Sequence, residues 1–155
     1  QVGADDYIPK PFSMAVITAK IKNLFRTRHQ VIEHYSNSLE VEPEKVALNP
    51  MDEELLKKAI AVVEKHMDDV EFSTDDFARE MYMSRSNLHI KMKALTGEST
   101  NEFIRKIRFS RACKLLKEGR YSVSEISTMV GFNTPSYFAT SFKKYFGCLP
   151  SEYGK

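Results

Sequence analysis

Apolar residues recur at helical spacing from Asp52 to the end of the chain, and part of this pattern occurs twice. Seven helices can be placed. Two pairs of short helices, each with a tight turn, occupy 73–95 and 122–146, and one longer helix of about 17 residues or 25 Å joins them. We therefore predict an all-α, seven-helix domain with two helix-turn-helix units joined by a long helix.

Capping signals mark the boundaries of these helices. Ser99 with Glu102 and Ser122 with Glu125 have the spacing of a capping box, in which two free backbone amides at a helix start are satisfied reciprocally. Pro135 stands where a first helical residue needs no backbone N–H. These signals predict the starts of the long helix and of both helices in the second unit.

The first 50 residues have a different pattern. Residues 6–8 resemble a short strand, and 13–26 predict an amphipathic helix with Met14, Ile17, Ile21 and Leu24 on one face. One strand and one helix cannot bury their own apolar faces, so the pair predicts the remnant of an α/β domain. We place this remnant at 1–28, an irregular linker at 29–50 and the helical domain at 51–155; the helix that starts at 13 can also continue into the linker.

The second helix of each unit must bury one stripe and can offer the opposite stripe to a DNA major groove. The helical wheel predicts as inner residues Leu88, Met92 and Leu95 in the first unit, and Phe138, Phe142, Tyr145 and Phe146 in the second. The candidates for reading base edges are Arg85, Ser86, His89, Ile90, Asn133, Ser136 and Thr140. The candidates for phosphate contacts are Lys93, Lys143 and Lys144.

The formal net charge of +2 conceals an uneven distribution. Residues 51–84 hold four Lys and Arg against ten Asp and Glu, a net of −6. Residues 85–155 hold thirteen against five, a net of +8. A basic half favours an anionic partner such as nucleic acid, although a solvated surface explains the charge equally well.

Several other functions lack sequence support. No apolar stretch is long enough for a membrane span and no leader precedes the first helix, so we expect a cytoplasmic protein without membrane contact. The two cysteines, Cys113 and Cys148, predict buried thiols. Because no catalytic, metal-binding or phosphate-loop pattern is present, we expect no enzyme activity, metal or cofactor.

Residues 52–155 resemble the AraC/XylS family of transcription regulators. The resemblance is carried by 83–88 (MSRSNL), 93–97 (KALTG), 123–126 (VSEI), 130–138 (VGFNTPSYF) and 142–153 (FKKYFGCLPSEY). It implies a seven-helix domain that binds double-stranded DNA. Tyr82 departs from the family's usual turn glycine, Ile90 from a frequent base-reading arginine, and Pro135 from a position that can be a polar reader.

Residues 3–12 (GADDYIPKPF) resemble the last strand and the start of the last helix of a response-regulator receiver domain. The resemblance implies that Lys10 contacts the phosphoryl group, that the Lys10–Pro11 bond is cis and that the rotamer of Tyr7 reports phosphorylation. It also implies a hybrid two-component regulator of carbohydrate-utilisation genes, with the missing receiver and kinase domains as partners. RNA polymerase and a second copy of the chain are further candidate partners.

Two alternatives remain open from the residues alone. The basic face could bind an acidic protein partner in a helical interaction module without specific DNA reading. An enzyme would require a reactive Cys113 or Cys148.

Overall fold

The structure, a computed structural model, describes residues 14–155, leaving aside the side chain of Ser36. Regular structure within this range is entirely helical, which confirms the all-α prediction there; the strand expected at 6–8 and the switch residues Tyr7 and Lys10 lie outside the described residues. The helices are α1 (Met14–Asn37), α2 (Pro43–Val46), α3 (Pro50–Lys65), α4 (Thr74–Glu80), α5 (Arg85–Thr96), α6 (Thr100–Glu118), α7 (Val123–Met129), α8 (Pro135–Phe146) and α9 (Pro150–Tyr153).

The segment expected to be an irregular linker, 29–50, is largely helical. Helix α1 continues to Asn37, well past its expected end at Arg26, and α2 also lies within this segment. The helix thus runs into the linker, as the sequence allowed, and its polar second half contains residues that pack on the helical domain. Tyr35 is among them, with 1% of its surface exposed.

Three residues of the second half of α1 attach it to the rest of the helical domain. Arg28 donates hydrogen bonds to the carbonyls of Val46 (2.6 Å) and Leu95 (2.5 Å), the latter in the last turn of α5. Ile32 packs on the glycine that ends α5, so closely that a Cβ there would lie 2.6 Å from its Cγ2. The carbonyl of Tyr35 accepts a hydrogen bond from Lys106 of α6. The end of α1 is therefore packed on the helical domain.

The capping signals read from the sequence are present. Ser99 with Glu102 and Ser122 with Glu125 form reciprocal capping boxes at the starts of α6 and α7. Thr134 caps α8, and Pro135 is its first residue. Each cap provides hydrogen-bond partners for amides that the helix itself cannot satisfy.

The long helix α6 contributes to two apolar cores. Its first half packs Phe103, Ile104 and Ile107 against α3, α4 and α5. Its second half packs Phe109 and other buried residues against α7, α8 and α9. With 19 residues the helix is about 28 Å long, so it separates the two helix pairs by a fixed distance.

Candidate nucleic-acid interface

The turns of the two helix-turn-helix units have the same hydrogen bonds. In the first, the N–H of Met83 donates to the carbonyl of Ala78 (3.0 Å); in the second, the N–H of Phe132 donates to that of Ser127 (2.9 Å). The residue before each donor is left-handed: Tyr82 at φ 55° and Gly131 at φ 77°.

The tyrosine in the first turn therefore adopts the backbone that glycine adopts in the second. A left-handed non-glycine residue costs about 1 kcal/mol. The side chain of Tyr82 is 86% exposed, and the Nζ of Lys58 lies 4.2 Å from the centre of its ring. The open surroundings let the turn accept a bulky side chain.

Helices α5 and α8, the second helices of the two units, each bury one stripe as the wheel predicts. Leu88, Met92 and Leu95 of α5 are at most 1% exposed, and Phe138 and Phe142 of α8 are fully buried. Tyr145, expected in the inner stripe, is 43% exposed although its ring centre lies 5.2 Å from that of Phe109. That prediction was wrong because Tyr145 sits at the edge of the stripe, where Phe146 already covers the same core ring at 5.6 Å.

The opposite stripes of α5 and α8 face solvent. All ten residues predicted to contact DNA are exposed: Arg85, Ser86, His89, Ile90, Lys93, Asn133, Ser136, Thr140, Lys143 and Lys144. Within residues 14–155 the three lysines of this set form no salt bridge. Their charge is therefore available to an anionic partner.

The structure gathers part of this set around two shallow grooves. Arg85, Ser86, His89 and Ile90 line one groove together with the N-terminal end of α6. Asn133 lines the other with Tyr137 and with residues of α6. The other predicted contact residues of α8 do not line these grooves.

The two grooves meet on α6. Asn101 lines both, and Arg105, one helical turn further on, lines the second. Both side chains are exposed on a helix whose other faces are mostly buried. The sequence pattern does not single them out because α6 carries many other polar and charged residues; the available signal is that the two lie four residues apart, on one face of the helix.

Two of the predicted base readers already have protein partners. The Oγ1 of Thr140 donates to the carbonyl of Ser136 (2.9 Å), which leaves its lone pairs free to accept from a base or a water. The Nη1 of Arg85 lies 3.6 Å from the Oδ1 of Asp75 in an exposed ion pair. Such pairs are worth little, so Arg85 can exchange this carboxylate for DNA.

The cysteines show no sign of activation. Both thiols are free; Cys113 is buried, as expected, whereas Cys148 is only partly buried. Burial raises the pKa of the Cys113 thiol, the opposite of what a nucleophile needs. In residues 14–155, none of the helices combines the length and the hydrophobicity that a bilayer span requires, and no group of three or more His, Cys, Asp and Glu side chains is placed to hold a metal ion.

The family model described as "Helix-turn-helix domain" matches residues 77–155, which include most of α4 and all of α5 to α9. Together with the paired units, this match defines a helix-turn-helix DNA-binding protein. The chain belongs to the AraC-type family of helix-turn-helix domains, whose members bind double-stranded DNA. The predicted family is thereby confirmed.

One relative covers nearly the whole chain. Histidine kinase P4 of Formosa agariphila is 40% identical over 151 residues, which are 97% of this chain and 11% of that protein. The Msm operon regulatory protein of Streptococcus mutans is 37% identical over 81 residues, which are 52% of this chain and 29% of that protein. The HTH-type transcriptional activator RhaR of Mannheimia succiniciproducens is 32% identical over 83 residues, 54% of this chain and 30% of that protein. The chain thus spans less than a third of the length of each of these three relatives.

Two solved structures show the same fold. The C-terminal domain of AraT, a response regulator from Geobacillus stearothermophilus, has a TM-score of 0.60 at 29% identity, covering 64% of this chain and 83% of that one. The DNA-binding domain of AdpA, a global transcriptional factor solved with a target DNA, has a TM-score of 0.58 at 27% identity, covering 64% and 88%.

Proposed function

We propose that this chain contains the sequence-specific DNA-binding output domain of a two-component transcription regulator. The observation that carries the proposal is the paired geometry: two units with the same turn each expose a polar, cation-bearing helix face, and one rigid helix joins them. The exposed stripes of α5 and α8 would enter successive major grooves on one face of the DNA.

The residue types on these faces suit distinct tasks. Arg85 and His89 can hydrogen-bond base edges, and Ile90, 65% exposed, can pack on a thymine methyl group. On α8, Ser136 and Thr140 can accept from or donate to bases, while Asn133 lies just before the helix start. Lys93, Lys143 and Lys144 supply charge for the phosphates, and Asn101 and Arg105 would face the backbone between the two grooves.

The input would come from a receiver domain on the N-terminal side. The 40% identity to a histidine kinase extends over 97% of the chain and so includes residues before the helix-turn-helix units, and AraT is itself a response regulator. We propose that phosphorylation, sensed near Tyr7 and Lys10, acts through dimerisation or through release of the DNA-binding half. Helix α1 offers a direct route from the receiver domain to the DNA-binding helices, because Arg28 donates a hydrogen bond to the carbonyl of Leu95 in the last turn of α5.

The genes controlled would be those for carbohydrate utilisation, with RNA polymerase as a partner at the promoter and the protein in the cytoplasm. This part rests on the resemblance to hybrid two-component regulators. Transcript profiling of a deletion strain grown on different polysaccharides tests it, and unchanged sugar-utilisation transcripts on every carbon source would contradict it.

Selection of bound sequences from a random DNA pool tests the DNA-binding proposal. We expect His89→Ala and Thr140→Ala to reduce discrimination between selected and random DNA by about 5- to 100-fold, since each removes a base contact of about 1–3 kcal/mol. Lys143→Ala should weaken binding to selected DNA and to random DNA by the same factor, because it removes a phosphate contact and no base contact. Lys45→Ala, in α2 outside both units, is the control for loss of one positive charge.

Equal affinity of the unsubstituted chain for selected and random DNA would reject specific reading. If DNA binding were absent altogether, the remaining candidate would be an interaction module whose basic face takes an acidic protein.

A further inference from the structure

Helix α6 carries a half-buried arginine, Arg108, that donates hydrogen bonds to both halves of the domain, the one that contains α4 and α5 and the one that contains α7 and α8. The Nη2 of Arg108 donates to the carbonyl of Asp69 (2.9 Å), in the loop that leads into the first unit. Its Nη1 donates to the carbonyl of Gly131 (3.0 Å), in the turn of the second unit. One guanidinium therefore connects the approach to α4 with the turn between α7 and α8.

The two bonded segments also touch each other directly. A Cβ at Gly131 would lie 2.6 Å from the carbonyl oxygen of Met67 and 2.8 Å from the Cζ of Arg108. Met67 packs against both apolar cores. The approach to α4 and the turn of the second unit therefore meet beside α6, where one side chain holds a backbone carbonyl of each.

Arginine is suited to this position because its planar fork presents several donors at fixed angles. The two carbonyls belong to segments that are distant along the chain, so both bonds form only at one relative placement of the halves. Removal of the side chain would leave the partly buried carbonyl of Gly131 short of a donor, whereas the carbonyl of Asp69 would keep its hydrogen bond from the N–H of Phe72 (3.3 Å). The apolar contacts of Met67 also join the two cores, but such packing is less directional than hydrogen bonds.

We propose that Arg108 is a positioning residue that sets the angle and spacing between α5 and α8, and thereby the separation of the two half-sites that the protein accepts. The proposal rests on the DNA-binding function proposed above. Half-sites read from one face of B-DNA lie about one helical turn, or 10–10.5 base pairs, apart. One inserted base pair rotates the second half-site by roughly 36°, so only a rigid pair of helices can reject it strongly.

The first test needs no DNA. Spin labels at Lys93→Cys and Lys143→Cys, in a Cys148→Ser background, report the distance between α5 and α8 by pulsed electron resonance. We expect one narrow distance distribution for the labelled protein that retains Arg108, and a distribution at least twice as broad for the Arg108→Met variant. Arg111→Met, an exposed neighbour on the same helix, is the control and should keep the narrow distribution. Equal widths for all three proteins would overturn the proposal.

The second test uses the selected operator and versions with one base pair inserted or deleted between the half-sites. For Arg108→Met we expect affinity for the operator to fall about 10-fold and the preference for correct spacing to fall at least 5-fold. Affinity for DNA with a single intact half-site should change less than 3-fold. A variant that keeps the spacing preference, or that loses half-site affinity in parallel, would show that Arg108 acts otherwise, for example as a phosphate contact.

Arg108→Lys keeps the proposal testable if Arg108→Met fails to fold. Lysine retains the positive charge but cannot hold both carbonyls with one planar group, so we expect the same broadening and loss of spacing preference in weaker form. If the unsubstituted chain shows no sequence preference, the proposed DNA function fails, while the distance measurement still decides the role of Arg108.

Discussion

At the scale of single residues, the two turns show that the space around a left-handed residue decides which side chain it can carry. Tyr82 and Gly131 share the left-handed conformation and the same hydrogen-bond pattern. The tyrosine side chain points into open surroundings, whereas the space around Gly131 is filled by Met67 and Arg108. The family's turn glycine is thus dispensable in the first unit and required in the second.

This difference predicts that alanine costs much more stability at Gly131 than at Tyr82. Gly131→Ala should lower the free energy of unfolding by about 2 kcal/mol or more, because backbone strain and overpacking add. Tyr82→Ala should change it by less than about 1 kcal/mol, the size of its exposed contact with Lys58. Urea denaturation followed by circular dichroism measures both, and equal losses would contradict the packing seen at Gly131.

At the scale of helices, α1 shows two different environments along one element. At its middle Phe25 is 72% exposed, whereas Tyr35 near its end is 1% exposed. The Nζ of Lys106 lies 3.7 Å from the centre of the Tyr35 ring and 3.6 Å from the Oε1 of Glu98. Burial lowers the pKa of Lys106 and raises that of Tyr35, so both groups are held away from water.

The end of α1 should therefore contribute to domain stability. We expect Tyr35→Ala to destabilise the protein by about 3–5 kcal/mol, as for other buried aromatic residues. Phe25→Ala on the same helix is the matched control and should cost no more than about 0.5 kcal/mol. Thermal unfolding at neutral pH compares the two. A similar small effect of both would mean that α1 detaches in solution.

The capping boxes predict a pH dependence of helix stability. Hydrogen bonds from the backbone of Ser99 and Ser122 lower the pKa values of Glu102 and Glu125 below the ordinary value for glutamate. Because the folded-state pKa lies below the unfolded one, the stabilisation is complete above the unfolded pKa and is lost as the pH falls through the folded pKa.

We therefore expect the Tm to fall between pH 5 and 3, and to fall less in a Glu102→Gln, Glu125→Gln double variant, whose amides can still accept the bonds. Glu118→Gln, at the end of α6 and outside any capping box, is the control. Differential scanning calorimetry gives the comparison. If the double variant were as acid-sensitive as the unsubstituted chain, the capping carboxylates would not be a source of the dependence.

At the scale of the whole molecule, positive charge is concentrated in the part of the chain that forms the candidate interface. The exposed cations of the interface, Arg85, Lys93, Arg105, Lys143 and Lys144, all lie in the basic half, 85–155. Contacts from all five would release about as many counterions from DNA. The strength of binding should therefore depend on salt far more than the small net charge suggests.

We expect the logarithm of the binding constant to fall with the logarithm of salt concentration with a slope of roughly −4 to −5. Lys143→Ala should make this slope shallower by about 1, and Lys45→Ala should leave it unchanged. Fluorescence anisotropy across a salt series measures the slope. A slope near zero would contradict an interface built on these cations.

The sequence alone predicted the helical domain well, because its signals are local. Capping boxes act between residues three apart, and the buried stripes of α5 and α8 follow from helical geometry, so neighbours in the chain contain the needed information. The family assignment rested on the same local motifs. The contacts of the ten predicted residues with DNA remain predictions.

Other features were decided only by tertiary structure. The second half of α1 looked like a linker, yet it packs on α5 and α6 through bonds such as that between Lys106 and Tyr35, 71 residues apart. Which segments meet also decides three other features: the exposure of Tyr145, the position of Asn101 between two grooves and the two hydrogen bonds of Arg108. Local patterns fix where the capped helices of the helix-turn-helix domain begin, whereas the end of α1, the burial of its residues and the relative placement of the two units depend on residues far apart in the chain.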